Sequence, residues 1–170
     1  MILNGKKTLL IPIDYRVDSD IDYFLDLYED EKWKHLYELK TGDRSATGDN
    51  LRSLFKDKIL VGWTVHVLHS NDKMGVIFAS FNADIPNVSG IMDKKATKGL
   101  LKKLKSEELT FTVDALKTVS NYIIEDLGFE RVQTMTELNN RLSLKLIKKA
   151  GYDTHLRLAI MHYTGESGGE

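Results

Sequence analysis

The sequence of 170 residues contains no cysteine, which excludes a disulfide framework, a thiolate metal site and a cysteine nucleophile. Its five histidines are scattered and form no HExxH pair, so we predict no metal site. The net charge is −1, which gives neither the basic surface typical of nucleic-acid binders nor an acidic tail. The composition therefore gives no sign of a metal site or of a surface steering nucleic acid.

Long hydrophobic runs are also missing. No apolar stretch approaches the roughly 20 residues that span a bilayer. The first residues, MILNGKKTLLIPI, have too short an apolar core and no small-residue cleavage site for a signal peptide. A chain of this length suits one domain that folds without covalent staples. We therefore expect a cytoplasmic protein without a membrane partner, with one domain over residues 1–164 and a flexible tail over 165–170.

The periodicity of apolar residues changes repeatedly between strand and helix along the chain. We predict strands at 8–15, 59–69, 74–82, 88–93, 131–136 and 156–163, and helices from Ser19, around 51–55, at 112–126 and at 141–150. Residues 41–50 are polar and contain glycine, which predicts a loop. Pro12 predicts that the first strand lies at a sheet edge or carries a bulge, since proline lacks the ladder donor. The order β-α-α-β-β-β-α-β-α-β predicts an α/β fold, with a mixed sheet and helices on both faces.

Residues 127–152 carry the clearest local signals. Gly128 follows a helical pattern and suits a left-handed cap. Asn140 precedes the helix of residues 141–150 and is a good N-cap candidate. Gly151 ends that helix, after Lys148 and Lys149 have placed positive charge near its negative end.

These same residues resemble a known family. Asn140-x-x-Ser143, followed eight residues later by Gly151-Tyr152, resembles the C-terminal signature of the GNAT acetyltransferase superfamily. The resemblance covers residues 112–163 and is closest to the branch that acetylates the N-termini of ribosomal and other proteins. The chain also resembles short, divergent members that bacteriophages encode. The resemblance implies acetyl-CoA as the cofactor and an amine as the acceptor, from a protein N-terminus, a lysine or a small molecule. It leaves homodimerisation open.

The resemblance also implies where acetyl-CoA binds. The cofactor lies in a cleft between the fourth and fifth strands, here residues 88–93 and 131–136, which splay apart. Backbone groups at the end of the fourth strand pair with the pantetheine arm, which implicates Ile91, Met92 and Asp93. The pyrophosphate is expected on amides at the start of the third helix, where the helix dipole favours anions.

The expected phosphate loop departs from the family. Most members carry Q/R-x-x-G-x-G/A, whereas this chain has KKATKGL over residues 94–100, with one of the two glycines missing. Lys94, Lys95, Lys98 and Gly99 are the candidate phosphate ligands, because lysines can substitute as point charges. A solvated amphipathic helix explains the same residues equally well. A nucleic-acid patch is a weaker alternative, since no aromatic residue interleaves with the lysines.

Three residues are candidates for catalysis. The resemblance places Glu137 near the thioester as a base, Asn140 as an orienting group and Ser143 beside the cofactor sulfur. A surface carboxylate and a simple N-cap are the structural alternatives for the first two. Many family members carry a tyrosine that acts as a general acid for the leaving thiolate, at the position where this chain has Ile147. Two functions therefore stay open: an N-acetyltransferase, or a catalytically inactive relative that acts as a structural or inhibitory binding module.

Overall fold

The computed structural model describes residues 1–30, 43–96, 108–136 and 141–153. Within them, five antiparallel strands form one sheet in the order β1-β2-β3-β4-β5. The strands are β1 (Leu3–Asn4), β2 (Thr8–Pro12), β3 (Leu60–Val67), β4 (Lys73–Ser80) and β5 (Asn87–Met92). The helices are α1 (Asp18–Asp30), α2 (Arg44–Lys56), α3 (Glu108–Asn121), which continues into a π-helical turn (Tyr122–Asp126), and α4 (Arg141–Lys149). None of these described helices is long and apolar enough to cross a membrane.

Alternating side chains of the strands build a core on each face of the sheet. On one face, α1 and α2 pack against β4 and β5, and Phe24 meets Phe55 and Phe78 at centroid distances of 6.1 and 5.3 Å. On the other face, α3 contributes Ala115 and Val119 to a buried cluster that also contains Trp63 and Val88 of the sheet. The predicted layering, with helices on both faces of the sheet, is confirmed by these two clusters.

Pro12 occupies a position where its missing donor has no consequence. It ends β2 opposite Trp63, beyond the two residues that β1 covers. The next amide, of Ile13, donates to the carbonyl of Gly62 on β3 at 2.9 Å. Backbone groups alternate in direction along a strand, so the proline nitrogen faces the part of β2 that β1 leaves uncovered. The predicted edge position thus holds for Pro12 but not for the strand as a whole, which lies between β1 and β3.

The predicted loop at residues 41–50 is wrong from Arg44 onwards, because α2 begins there. Asp43 caps the helix: its carboxylate accepts a hydrogen bond from the amide of Ala46 at 2.8 Å. Gly48 lies within this helix and is buried against α1, where an added Cβ would stand 3.4 Å from Leu25. The glycine and the polar residues resemble a loop in sequence, but the cap and the contact with α1 stabilise a helix.

Both predicted glycine caps are confirmed. Gly128 and Gly151 have φ values of +78° and +95°, in the left-handed region that glycine adopts without a Cβ clash. The predicted strand at 156–163 lies outside the described residues. So does the Asn140 cap.

Candidate active site

The site is built on a seam between β5 and the extended segment of residues 131–136. Two backbone hydrogen bonds join them: the amide of Val88 donates to Gln133 at 2.8 Å, and the amide of Gln133 donates to Pro86 at 2.9 Å. They form a single parallel bridge, between Asn87 and Gln133. The described residues show no further pairing along the seam. The prediction that these two segments are parallel neighbours that splay apart is confirmed. The predicted continuous strand at 131–136 is wrong, because only Gln133 forms a bridge.

The splay leaves one edge of β5 open. The amide of Val88 points across the seam, and the amide of Asp93 points the other way, to Met74 of β4 at 2.7 Å. Because backbone groups alternate in direction along a strand, the N–H and C=O of Gly90 and Met92 also face the seam. Gly90 is exposed and has no side chain to shield its backbone. This edge can therefore pair with an extended ligand that carries amide groups.

A cleft opens beside this edge, between the sheet, α3 and α4. Its walls are mainly apolar, and they include Val88, Met92, Ala115, Leu116, Leu146 and Ile147. Five residues that carry a hydroxyl group also line it: Ser89, Thr112, Thr134, Thr136 and Ser143. A narrow apolar site with a few polar groups is the usual form of a small-molecule site.

The candidate residues named from the sequence do not all meet in this cleft. Met92 and Ser143 line it together, from opposite walls. Ile91 does not, because its side chain is 1% exposed in the core beneath α1 and α2, and its backbone pairs with Val76 of β4. This geometry gives Ile91 no route to a ligand in the cleft.

Four other candidate residues, Lys98, Gly99, Glu137 and Asn140, lie outside the described residues. Asp93, Lys94 and Lys95 stand just beyond the end of β5 and are not part of the cleft wall. The amide of Asp93 donates to Met74 of β4 and not toward the seam, so it does not face the pantetheine arm as predicted. The predicted contacts of Lys94 and Lys95 with phosphate stay predictions.

The Asp93 carboxylate binds two amides within the expected phosphate loop of residues 94–100. Residues 94–96 are helical, and the Asp93 carboxylate accepts hydrogen bonds from the amides of Lys95 and Ala96 at 2.9 and 3.1 Å. The hydroxyl of Tyr23 on α1 donates to the same carboxylate at 3.3 Å. Burial and the negative charge of Asp93 raise the pKa of Tyr23, so this hydroxyl stays protonated as a donor. A phosphate could reach these two amides only by displacing the carboxylate.

A hydrogen bond between two hydroxyl groups connects Tyr152, which follows the end of α4, to α3. Ser120 donates to the carbonyl of Leu116 at 2.6 Å, which leaves Tyr152 to donate to the Ser120 oxygen in a short hydrogen bond. Burial raises the pKa of Tyr152, so the phenol stays neutral. The aromatic residue after Gly151 therefore holds α4, and with it Ser143, against the cleft.

The sequence reasoning missed the threonines of the cleft wall. Val132, Thr134 and Thr136 alternate with exposed residues on one side of the extended segment, and the sequence pattern already showed that side. The alternation gave the correct face. It did not show that this face lines a cleft, because the opposite wall comes from helices distant in sequence.

The architecture is that of known enzymes. An acetyltransferase from Agrobacterium tumefaciens superposes with a TM-score of 0.64 at 10% identity, covering 89% of this chain and 82% of that one. The ribosomal-protein-S5-alanine acetyltransferase from Vibrio fischeri gives 0.57 at 14% identity, covering 90% and 83%. A variant of the spermidine N-acetyltransferase from Vibrio cholerae gives 0.60 at 13% identity, covering 88% and 81%. The chain has the GNAT acetyltransferase fold.

The GNAT fold predicted from the sequence is thus confirmed by structure. No protein-family model and no curated protein matches the sequence. At 10–14% identity, the likeness to the three solved structures concerns the fold, and the activity has to be argued from the cleft itself.

Proposed function

We propose that this protein is an N-acetyltransferase that transfers an acetyl group from acetyl-CoA directly to an amine. The observation that carries the proposal is the seam between β5 and residues 131–136, which is paired at one bridge and then open. The GNAT fold supports it, because the solved structures with this fold include acetyltransferases for ribosomal proteins and for spermidine.

The residues of the cleft fit the arm of acetyl-CoA. The arm is extended and carries two amides, which match the N–H and C=O groups of Gly90 and Met92 on the open edge. The apolar walls from α3 and α4 suit its methylene groups. When bound, acetyl-CoA supplies an activated acetyl group, and the protein has to hold that group near the amine.

Direct transfer needs few groups from the protein. The amine nitrogen forms a bond to the acetyl carbon, the carbon–sulfur bond breaks, and the amine loses a proton. We assign Glu137 to accept that proton and Asn140 to orient the reacting groups. Ser143 lines the cleft and is the only hydroxyl residue of α4, so we assign it to donate a hydrogen bond to the departing sulfur. Ile147 lines the same wall, where many relatives carry a tyrosine that acts as a general acid, so Ser143 is the hydroxyl that α4 offers as a hydrogen-bond donor.

A second candidate function is a binding module that has kept the GNAT fold without catalysis. The contact of the Asp93 carboxylate with the amides of Lys95 and Ala96 favours it, because those amides are then closed to the pyrophosphate. The two functions differ in a simple observable. Only the enzyme binds acetyl-CoA and turns it over.

Thermal unfolding with and without acetyl-CoA tests the proposal. Ligand at about a hundred times its dissociation constant should stabilise the protein by roughly 2.7 kcal/mol, a rise in Tm of about 5–10 °C for a domain of this size. Turnover should then be measured with peptides that have a free N-terminal alanine and with spermidine, since two of the compared enzymes act on such amines. A Tm unchanged by acetyl-CoA, with no turnover of any amine, would leave the binding module as the better function.

The lysines after β5 need a separate experiment. Replacing Lys94, Lys95 and Lys98 with glutamine should weaken binding of CoA and flatten its dependence on salt, because fewer ionic contacts with phosphate remain. The same change at Lys148 and Lys149, exposed at the far end of α4, is the control and should leave affinity unchanged. If the triple variant binds CoA as tightly as the wild type, these lysines belong to a solvated helix face instead.

A further inference from the structure

We infer that the hydroxyl of Thr136 is a ligand-binding group, which donates a hydrogen bond to a carbonyl oxygen of the acyl-pantetheine arm. The inference rests on the proposed function and adds a residue that the sequence did not single out. Thr136 lines the cleft, and its Oγ1 is buried without a hydrogen-bond partner.

An unpartnered buried hydroxyl needs an explanation, because it has lost its hydrogen bonds to water and gained none from the protein. Among the described residues, the only other such side-chain atom is the Oδ1 of Asn87. The amide group of Asn87 still donates to Ser89 at 3.3 Å, and Asn87 does not line the cleft. Thr136 therefore combines an unused hydroxyl with a place in the cleft wall.

The position of Thr136 along the seam suits a ligand that lies against β5. Asn87 stands opposite Gln133, so a parallel register places Thr136 about level with Gly90, at the start of the open edge. A ligand that pairs with the Gly90 backbone through one amide turns its neighbouring carbonyl toward the other wall. Rotation of Thr136 about χ1 by about 120° moves its hydroxyl to another of the three staggered positions on Cβ, and the inference requires the one that faces that carbonyl.

Two substitutions separate the hydroxyl from the shape of the side chain. Thr136→Val keeps the volume and removes the hydroxyl, whereas Thr136→Ser keeps the hydroxyl and removes the methyl. Thr134→Val is the matched control, because Thr134 lines the same cleft on the same segment and its hydroxyl is not among the buried, unpartnered ones.

The inference predicts opposite effects of Thr136→Val with and without ligand. Without ligand, its Tm should rise by about 2–4 °C, since an unsatisfied polar atom is removed. Its affinity for acetyl-CoA, measured by calorimetry, should fall about tenfold, the loss of one good hydrogen bond. Thr136→Ser should bind within about threefold of the wild type, and so should Thr134→Val.

Comparing acetyl-CoA with free CoA identifies the carbonyl. A loss of affinity in Thr136→Val for acetyl-CoA alone points to the thioester carbonyl, and an equal loss for both points to an amide of the arm. Wild-type affinity in Thr136→Val, or a lower Tm for this variant without ligand, would overturn the inference and leave the proposed function standing. Failure of the wild-type protein to bind either molecule would overturn both.

Discussion

Asp114 should be one of the most important polar residues for stability, although it lies outside the cleft lining. Its carboxylate on α3 accepts hydrogen bonds from the amides of Lys6, Lys7 and Thr8 at 3.1, 2.9 and 3.0 Å, and from the Thr8 hydroxyl at 2.8 Å. Gly5 leaves the room for it, because an added Cβ there would stand 2.3 Å from the carboxylate. One side chain thus holds the turn between β1 and β2 against α3.

The stability lost on removing the Asp114 carboxylate depends on which of its hydrogen-bond donors water can reach. Lys6 and Lys7 are exposed, so their amides return to water when the carboxylate is removed. Thr8 is fully buried, so its amide and hydroxyl are left without partners. A hydrogen bond to a charged group contributes about 1.5–3 kcal/mol, and the two from Thr8 together contribute roughly 3–6 kcal/mol. Asp114→Ala should therefore lower Tm by at least about 6 °C.

The assay is chemical and thermal unfolding of Asp114→Ala and Asp114→Asn, with Asp126→Ala as the control. Asparagine keeps one acceptor oxygen and loses the charge, so it should fall between the wild type and alanine. Asp126 is an exposed carboxylate at the end of the same helical segment, and its replacement should change the free energy of unfolding by no more than about 0.5 kcal/mol. A loss below about 1 kcal/mol in Asp114→Ala would refute the argument from buried donors.

Other predictions concern α4 and a surface ion pair. Asn140→Ala should lower stability by about 1 kcal/mol through loss of the N-cap, and Asn140→Ser should restore most of it in unfolding experiments; full activity of the serine variant would refute an orienting role. Ser143→Ala should lower turnover while acetyl-CoA still binds and stability changes by less than about 0.5 kcal/mol. Hydrogen bonds from Arg16 hold the pKa of Asp14 at about 2, below its ordinary 3.8, so this contact contributes stability above pH 3.8 that is lost as the pH falls toward 2. Arg16→Ala should return the pKa of Asp14 toward 3.8 in an NMR titration, and an unchanged value would exclude the ion pair as its cause.

The sequence by itself determined the elements whose signals are local. Gly128 and Gly151 end helices because only a residue without Cβ takes the left-handed conformation cheaply, and the structure places both there. The hairpin of β3 and β4 follows from alternation between residues that are close in sequence. The wrong prediction of a loop at residues 41–50 also had a local cause. The sequence contained the Asp43 cap of α2, but Gly48 favoured a loop.

The tertiary structure decided what the site is made of. The seam is open beyond its single bridge. The two segments that form it lie more than forty residues apart in sequence, so no local pattern encodes how they separate in space. The face that carries Thr136 was predictable from alternation, but the burial of its unpartnered hydroxyl in the cleft wall depends on elements distant in sequence. The contact between Asp114 and Thr8 spans 106 residues, and Ser120 meets Tyr152 across 32. Such contacts depend on how packed elements meet in space, and in a single sequence their residues look like ordinary polar positions.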